Sequence, residues 1–258
     1  MARARGQFRV GTSGYQYDHW KKLFYPEELA KKHWFAHYAQ YFDTVEINNT
    51  FYRLPSAQVF DAWRKQAPPG FCYVLKFTRY GSHVKRLKEP RATIKRFLQV
   101  ARRLREFLGP ILVQLPPNWS VNTDRLQEFL KAAPRSLRWA FEFRDPSWLC
   151  EDVFAILQHH NAALCIHDMI ADHPRHITAD WVYLRFHGDH YSGSYAPDTL
   201  KAQAQWIKEQ LGDSQDVFAY FNNDAQGYAV DNAKQLNKAV RARVETFYEI
   251  GFNVASSG

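Results

Sequence analysis

The chain has 258 residues, 46% hydrophobic and 16% aromatic, with 34 basic against 26 acidic side chains for a net charge of +8; that is enough apolar material to bury a sizeable core, and an α/β barrel of this length needs only one domain. Its three cysteines, Cys72, Cys150 and Cys165, form no CxxC pair and no disulfide framework, which suits a reducing compartment. No window approaches ~18 consecutive apolar residues, and the basic start MARARGQFRV lacks the apolar stretch of a signal peptide, so the expectation is a soluble cytoplasmic protein without a membrane partner.

In chain order, the first apolar run is QFRVGT (7–12), followed by Ser13 and Gly14. Gly11 and Gly14 there could bring backbone N–H groups close to an anion. Pro26, Glu27 and Glu28 predict a first helical turn, and Phe35, Tyr38, Ala39 and Phe42 continue at helical spacing. The second run is TVEIN (44–48), and Ser56 predicts a cap for a helix carrying Phe60, Trp63 and Ala67. After FCYVLKF (71–77), residues Ile94, Phe97, Leu98, Ala101, Leu104 and Leu108 form one long apolar stripe. ILVQL (111–115) precedes a stripe of Leu126, Phe129, Leu130 and Ala133. LRWAFEF (137–143) precedes a weaker one of Val153, Leu157 and His160. Between AALCIH (162–167) and WVYLRF (181–186), the stretch DMIADHPRHITAD has no helical period. The helical stripe Leu200, Ala204, Ile207 and Leu211 leads to DVFAYF (216–221), and Ala229, Ala233, Leu236 and Val240 close the pattern.

Eight nearly continuous apolar runs alternating with amphipathic stretches predict parallel strands covered by helices, hence a single-domain α/β fold of the TIM (β/α)8 type. A doubly wound sheet is the runner-up. The sixth crossover is expected to be irregular. The core is placed at about residues 7–240 and a C-terminal extension at 241–258, ending in a fraying NVASSG.

In such a barrel, function sits at the C-terminal strand ends, where side chains i and i+2 share a face. Those ends carry Glu46 and Asn48, Lys76, Gln114, Glu142 and Arg144, His167, Arg185 and His187, and Asn222. So many polar groups cannot be buried without partners: they pair with one another, face water or meet a ligand.

The segments GTSGYQYDHWKKLFYP, VEINNTFYRLP, ILVQLPPNW, FEFRDPSW, VYLRFHG with YSGSY, and YFNNDAQGYAVDNA together resemble the YecE-like family, domain of unknown function 72, from about Gly11 to Leu236. The resemblance implies a TIM barrel and assigns no reaction. Positions matching the family's polar residues are Glu46, Asn48, Tyr52, Lys76, Gln114, Glu142, Arg144, Arg185, His187 and Asn222. Tyr15 stands where the family often has Trp, and Ser82–His83 replaces its usual Thr-His pair, which puts a role for His83 in doubt.

The lead expectation is a site for a small anionic ligand, phosphorylated or carboxylated and sugar-like or nucleotide-like. Glu46 and Glu142 would transfer protons or attack, with His187 as a proton shuttle. Lys76, Arg144 and Arg185 would clamp the anion. Asn48, Gln114 and Asn222 would orient hydroxyls, and Tyr52 and Tyr191 would touch the ligand. Lys76 could instead be a Schiff-base lysine. His167, Asp168, HPRH and HGDH supply metal-ligand types, but three nearby cations argue against a bare divalent ion and no spacing matches a zinc pattern, so no metal is assigned and the cofactor stays open.

Two other readings compete. The basic run from Lys85 to Arg105 around the third helix could bind nucleic acid, although a solvated face is the default. Alternatively the mouth is a self-neutralised polar plug in a non-catalytic scaffold, with Glu142 paired to Arg144 or Arg185 and Glu46 to Lys76. Oligomeric state is not indicated.

Overall fold

The computed structural model describes residues 6–188 and 193–242. Its eight strands are β1 (Phe8–Thr12), β2 (Thr44–Ile47), β3 (Cys72–Lys76), β4 (Leu108–Gln114), β5 (Trp139–Glu142), β6 (Ala163–His167), β7 (Trp181–Phe186) and β8 (Asp216–Phe221). The ladders from β2 through β8 and on to β1 are all parallel, in the order β1-β8-β7-β6-β5-β4-β3-β2. The helices are α1 (Trp34–Tyr38), α2 (Asn49–Tyr52), α3 (Ala57–Gln66), α4 (Pro90–Ala101), α5 (Thr123–Ala132), α6 (Glu151–His159), α7 (Pro197–Gly212) and α8 (Tyr228–Arg241). This is the TIM barrel that the alternation predicts, with no helix among the described residues between β6 and β7.

Period-two alternation sorts each strand's residues onto two faces. Val45, Ile47, Leu75, Ile111, Val113, Phe141, Val182, Leu184, Val217 and Ala219 join the large cluster that also holds the helices' apolar stripes. Val74, Leu112, Ala140, Ala163, Cys165, Trp181, Tyr183, Phe218 and Tyr220 pack on one another in a second cluster, which fills the barrel interior. The polar residues described below continue that inward series by two positions.

Closure between β1 and β2 is made mostly without a ladder. Ser13 and Glu46 form a single parallel bridge, and the Gly14 N–H donates to the Glu46 carbonyl at 2.8 Å. Lower on the seam a side chain intervenes. The Thr12 N–H donates to the Tyr38 hydroxyl at 3.0 Å, and that hydroxyl donates to the Thr44 carbonyl at 3.0 Å. Gly11 permits the approach, because a Cβ there would lie 2.4 Å from the Thr44 carbonyl oxygen.

Three local expectations change. Pro26 starts a turn rather than a helix; α1 begins only at Trp34, after a 3-10 turn at Lys31–His33. Tyr25 stacks on Trp34 with centroids 4.5 Å apart and donates its hydroxyl to the Tyr15 carbonyl, so aromatic packing overrides the local Pro-Glu-Glu signal. The long stripe ending at Leu108 is not one helix: α4 stops at Ala101, a 3-10 stretch follows, and Leu108 opens β4. Arg105 takes a left-handed φ of 51°, which breaks the helical path, and Pro110 bars any helix from continuing past Gly109. Ser56 occupies the N-cap position of α3 but makes no side-chain capping bond. Of the expected C-terminal extension, residues 243–258 lie outside the described residues. No helix among those described is long and apolar enough to cross a membrane.

Candidate functional site

The inward residues at the strand ends meet as a hydrogen-bonded network centred on Arg185 in β7, which is 1% exposed. Its Nη2 donates to Glu46 Oε1 at 2.8 Å and its Nη1 to Glu142 Oε2 at 2.5 Å. One planar fork therefore spans the two carboxylates expected to do acid/base work. Glu46 also accepts from Ser13 Oγ at 2.7 Å and from the Tyr183 hydroxyl at 2.6 Å. Glu142 takes its other contact from Arg144 Nε. Every oxygen of these two buried carboxylates is thus occupied by a donor.

A second arm runs outward from Arg144. Its Nη2 and Arg185 Nη1 lie 3.2 and 3.3 Å from His187 Nε2, while His187 Nδ1 lies 2.9 Å from Asp168 Oδ1. The carboxylate makes Nδ1 the protonated nitrogen, so Nε2 is the acceptor for both guanidinium groups. Asp168 in turn accepts from the Tyr195 hydroxyl. The loop bearing Tyr195 is pinned by fully buried Asn232 of α8, whose Oδ1 accepts from Tyr195 N–H at 3.2 Å and from Asn223 Nδ2 at 2.9 Å.

Electrostatics follow from burial and partners. Burial alone would push the Glu142 carboxyl up, but Arg185 and Arg144 hold it well below the usual carboxylate range. The Arg185 guanidinium is held charged against its own burial by Glu142 and Glu46. Burial lowers His187 despite Asp168, and lowers His167 to about 4. His167 is neutral and fully used: Nε2 meets the Phe143 carbonyl at 2.8 Å and Nδ1 accepts the Met169 N–H.

Lys76 stands apart. It is 8% exposed at the end of β3, its Nζ lies 4.5 Å from the centre of the Phe51 ring, and that Nζ makes no hydrogen bond or ion pair with a described residue. Glu46 pairs with Arg185 and not, as the plug reading had it, with Lys76. Burial first and Arg185 second lower the Lys76 amine to about 8.

Glu46, Glu142, Arg144, Arg185 and His187 are therefore brought into one network. Gln114 lies beside Glu142 in the β4–β5 ladder, and Asn222 follows β8 with its N–H on the Phe186 carbonyl at 2.7 Å. Asn48 is half-buried, and its Oδ1 is a buried acceptor that no described donor reaches. Tyr52 is 77% exposed and lines a separate groove with Arg53, Tyr80 and Arg96. Tyr191 and the end of HGDH lie outside the described residues. Within the basic run, Arg103 pairs with Asp61 and Lys85 with Glu89. Among the described residues no group of three His, Cys, Asp or Glu is placed to hold a metal ion.

Sequence reasoning missed Tyr183 as a partner of Glu46. The signal was available, because Tyr183, Arg185 and His187 follow one another at spacing two on β7. Asn232 carried no such signal, as it lies in a helix and acts on a loop about 37 residues away.

The profile of the family described as "Protein of unknown function DUF72" matches residues 9–252, nearly the whole chain. The chain belongs to the DUF72 family. UPF0759 protein YunF of Bacillus subtilis is 24% identical to this DUF72 chain over 269 aligned positions, covering 88% of it and 92% of the relative. UPF0759 protein YecE of Escherichia coli is 30% identical over 115 positions, 44% of this chain and 42% of the relative. Among solved structures, a DUF72 family protein from Thermotoga maritima superposes with a TM-score of 0.83 at 27% identity, covering 92% of this chain and all (100%) of the other. The DUF72 barrel is thus shared along its whole length, while none of these names specifies a ligand.

Proposed function

We propose that the barrel mouth binds a small anionic ligand, phosphorylated or carboxylated and sugar-like or nucleotide-like. The observation that carries this reading is Lys76, a nearly buried cation whose amine has no acid partner among the described residues. It stands at the edge of a network whose inner charges, Glu46 and Glu142 against Arg144 and Arg185, cancel, with the Asp168 carboxylate on the outer arm against His187. An incoming anion supplies the missing partner. Arg144, whose side chain is 16% exposed, is the second cation such a ligand would reach, while Arg185 would act indirectly by fixing both carboxylates. Glu46 and Glu142 would transfer protons only after losing one of their present donors. The space between them that glycoside hydrolysis would fill with water or sugar is spanned here by a guanidinium.

The test is thermal unfolding with inorganic phosphate, sugar phosphates and small carboxylates against chloride at matched ionic strength. Stabilisation of the wild type, weakened in Arg144→Ala and in Lys76→Met, is the expected result. If no anion outperforms chloride, the reading falls.

A second reading rests on the groove of about 580 Å³ lined by Tyr52, Arg53, Thr78, Tyr80 and Arg96. Tyr52 and Tyr80 are 77% and 48% exposed, and rings beside arginines suit stacked bases and phosphates of a single strand. Binding of a short single-stranded oligonucleotide, steeply weakened by salt and lost in Tyr52→Ala, would favour it.

A further inference from the structure

Lys76 differs from the other mouth cations in what its chemistry allows. A guanidinium stays charged under any ordinary condition, whereas an amine can lose its proton and attack. The strand end that carries Lys76 is held firmly: the hydroxyl of fully buried Thr50, in α2, donates to the Lys76 carbonyl at 2.7 Å. Phe51 from the same short helix lays its ring 4.5 Å from Nζ and shields one side. Glu142 and Glu46 still favour the charged amine, but their oxygens are hydrogen-bonded to Arg185, Arg144, Ser13 and Tyr183 and not to Nζ.

We propose that Lys76 is a nucleophile that forms an imine with the carbonyl carbon of an anionic aldehyde or ketone bound at the mouth. This rests on the anion-binding reading above and gives it a substrate class. Lowered to about 8, the amine is neutral in roughly a tenth of molecules at pH 7. Burial first and Arg185 second disfavour its protonation, while the partly exposed Arg144 is the neighbouring cation that an anionic substrate would reach. In the first step the Nζ lone pair forms the N–C bond and the C=O π pair moves to oxygen. A proton passes from nitrogen to oxygen to give a neutral carbinolamine. The hydroxyl then leaves as water, taking the second N–H proton, and the C=N bond forms. One carbonyl and one amine give one imine and one water, with no oxidant or reductant. The protonated imine is an electron sink, which suits cleavage or formation of the bond next to the former carbonyl.

The experiment is reductive trapping. The wild-type chain is incubated separately with glyoxylate, pyruvate and pyridoxal 5′-phosphate, reduced with cyanoborohydride, and mapped by peptide mass. The expected result is a reduced adduct on Lys76 from at least one of them, formed at least about tenfold faster than on any other lysine. Inorganic phosphate should slow it, and its rate should rise with pH through a midpoint about 8. Lys76→Arg should give no such adduct. If none of the three compounds labels Lys76 faster than surface lysines, the imine proposal is overturned. Phosphate stabilisation in that same protein would leave the anion site standing; no stabilisation would remove both. A fast adduct that phosphate leaves unaffected also overturns the proposal, because the target would then not be an anion held at the mouth.

Discussion

At the scale of single residues, the mouth sets two opposite electrostatic balances side by side. Lys76 is a cation that folding makes less basic. Its ordinary value is 10.5 and the folded value about 8, so between those limits the unfolded chain holds more protons and stability rises with pH. Below about pH 8 the burial cost is fully present. Lys76→Met should therefore be more stable than wild type at pH 7, by roughly 2–3 kcal/mol, and the gap should close as pH rises towards 10.5 in urea unfolding series. An unchanged stability at pH 7 would mean that the amine is not confined as described. Glu142 behaves in the opposite way. Its folded carboxyl lies well below the ordinary 4.5, so its contribution is present above that value and is lost as pH falls through the depressed one. Glu142→Gln leaves Arg185 with only Glu46 and should cost about 3 kcal/mol at pH 7. That deficit should shrink when both proteins are unfolded below pH 4. A deficit independent of pH would point to packing instead of charge.

At the scale of elements, the strands were legible and their joints were not. Runs such as TVEIN and WVYLRF are short, apolar and bounded, and each became a strand because burial on both faces needs little more than that pattern. Polar residues at their C-terminal ends were legible for the same reason: period two, once the barrel is assumed, carries Glu46, Glu142 and Arg185 to one face. The pairing was not. Glu46 and Arg185 are 139 positions apart, and which acid meets which base depends on reach across the barrel, a quantity no local pattern encodes. The start of α1 failed because stacking of Tyr25 on Trp34 is a contact between side chains, invisible to propensity. The two glycines read as an approach for an anion, Gly11 and Gly14, lie instead in the β1–β2 seam, where the Gly14 N–H is taken by the Glu46 carbonyl. Gly11 proves to be a steric requirement: Gly11→Ala would place Cβ 2.4 Å from a backbone oxygen that cannot move without opening the seam. The expected cost is about 1–3 kcal/mol in denaturant midpoints. A neutral effect would show that the seam has slack.

At the scale of the whole molecule, the barrel hides most of its functional charge. A net charge of +8 suggests a strongly basic protein, yet Glu46, Glu142, Arg144 and Arg185 at the mouth sum to zero, and Lys76, whose amine has no acid partner among the described residues, is nearly out of sight. Composition could therefore suggest an anionic partner without locating it. Membership of the DUF72 family carries the barrel but names no chemistry.

The Tyr38 hydroxyl has a consequence in time. Other neighbouring strands join through a backbone ladder, but the lower β1–β2 seam closes through a side chain on α1. The ladders can therefore form from β2 round to β1 without that helix, while the lower seam is completed only with Tyr38 in place. The expectation is that this closure forms after the folding barrier. Tyr38→Phe should speed unfolding several-fold and leave the folding rate nearly unchanged, which a denaturant chevron would separate. Equal slowing of folding would place the seam in the nucleus instead. On that expectation, how long the ring stays shut depends on one phenol at its least laddered strand pair.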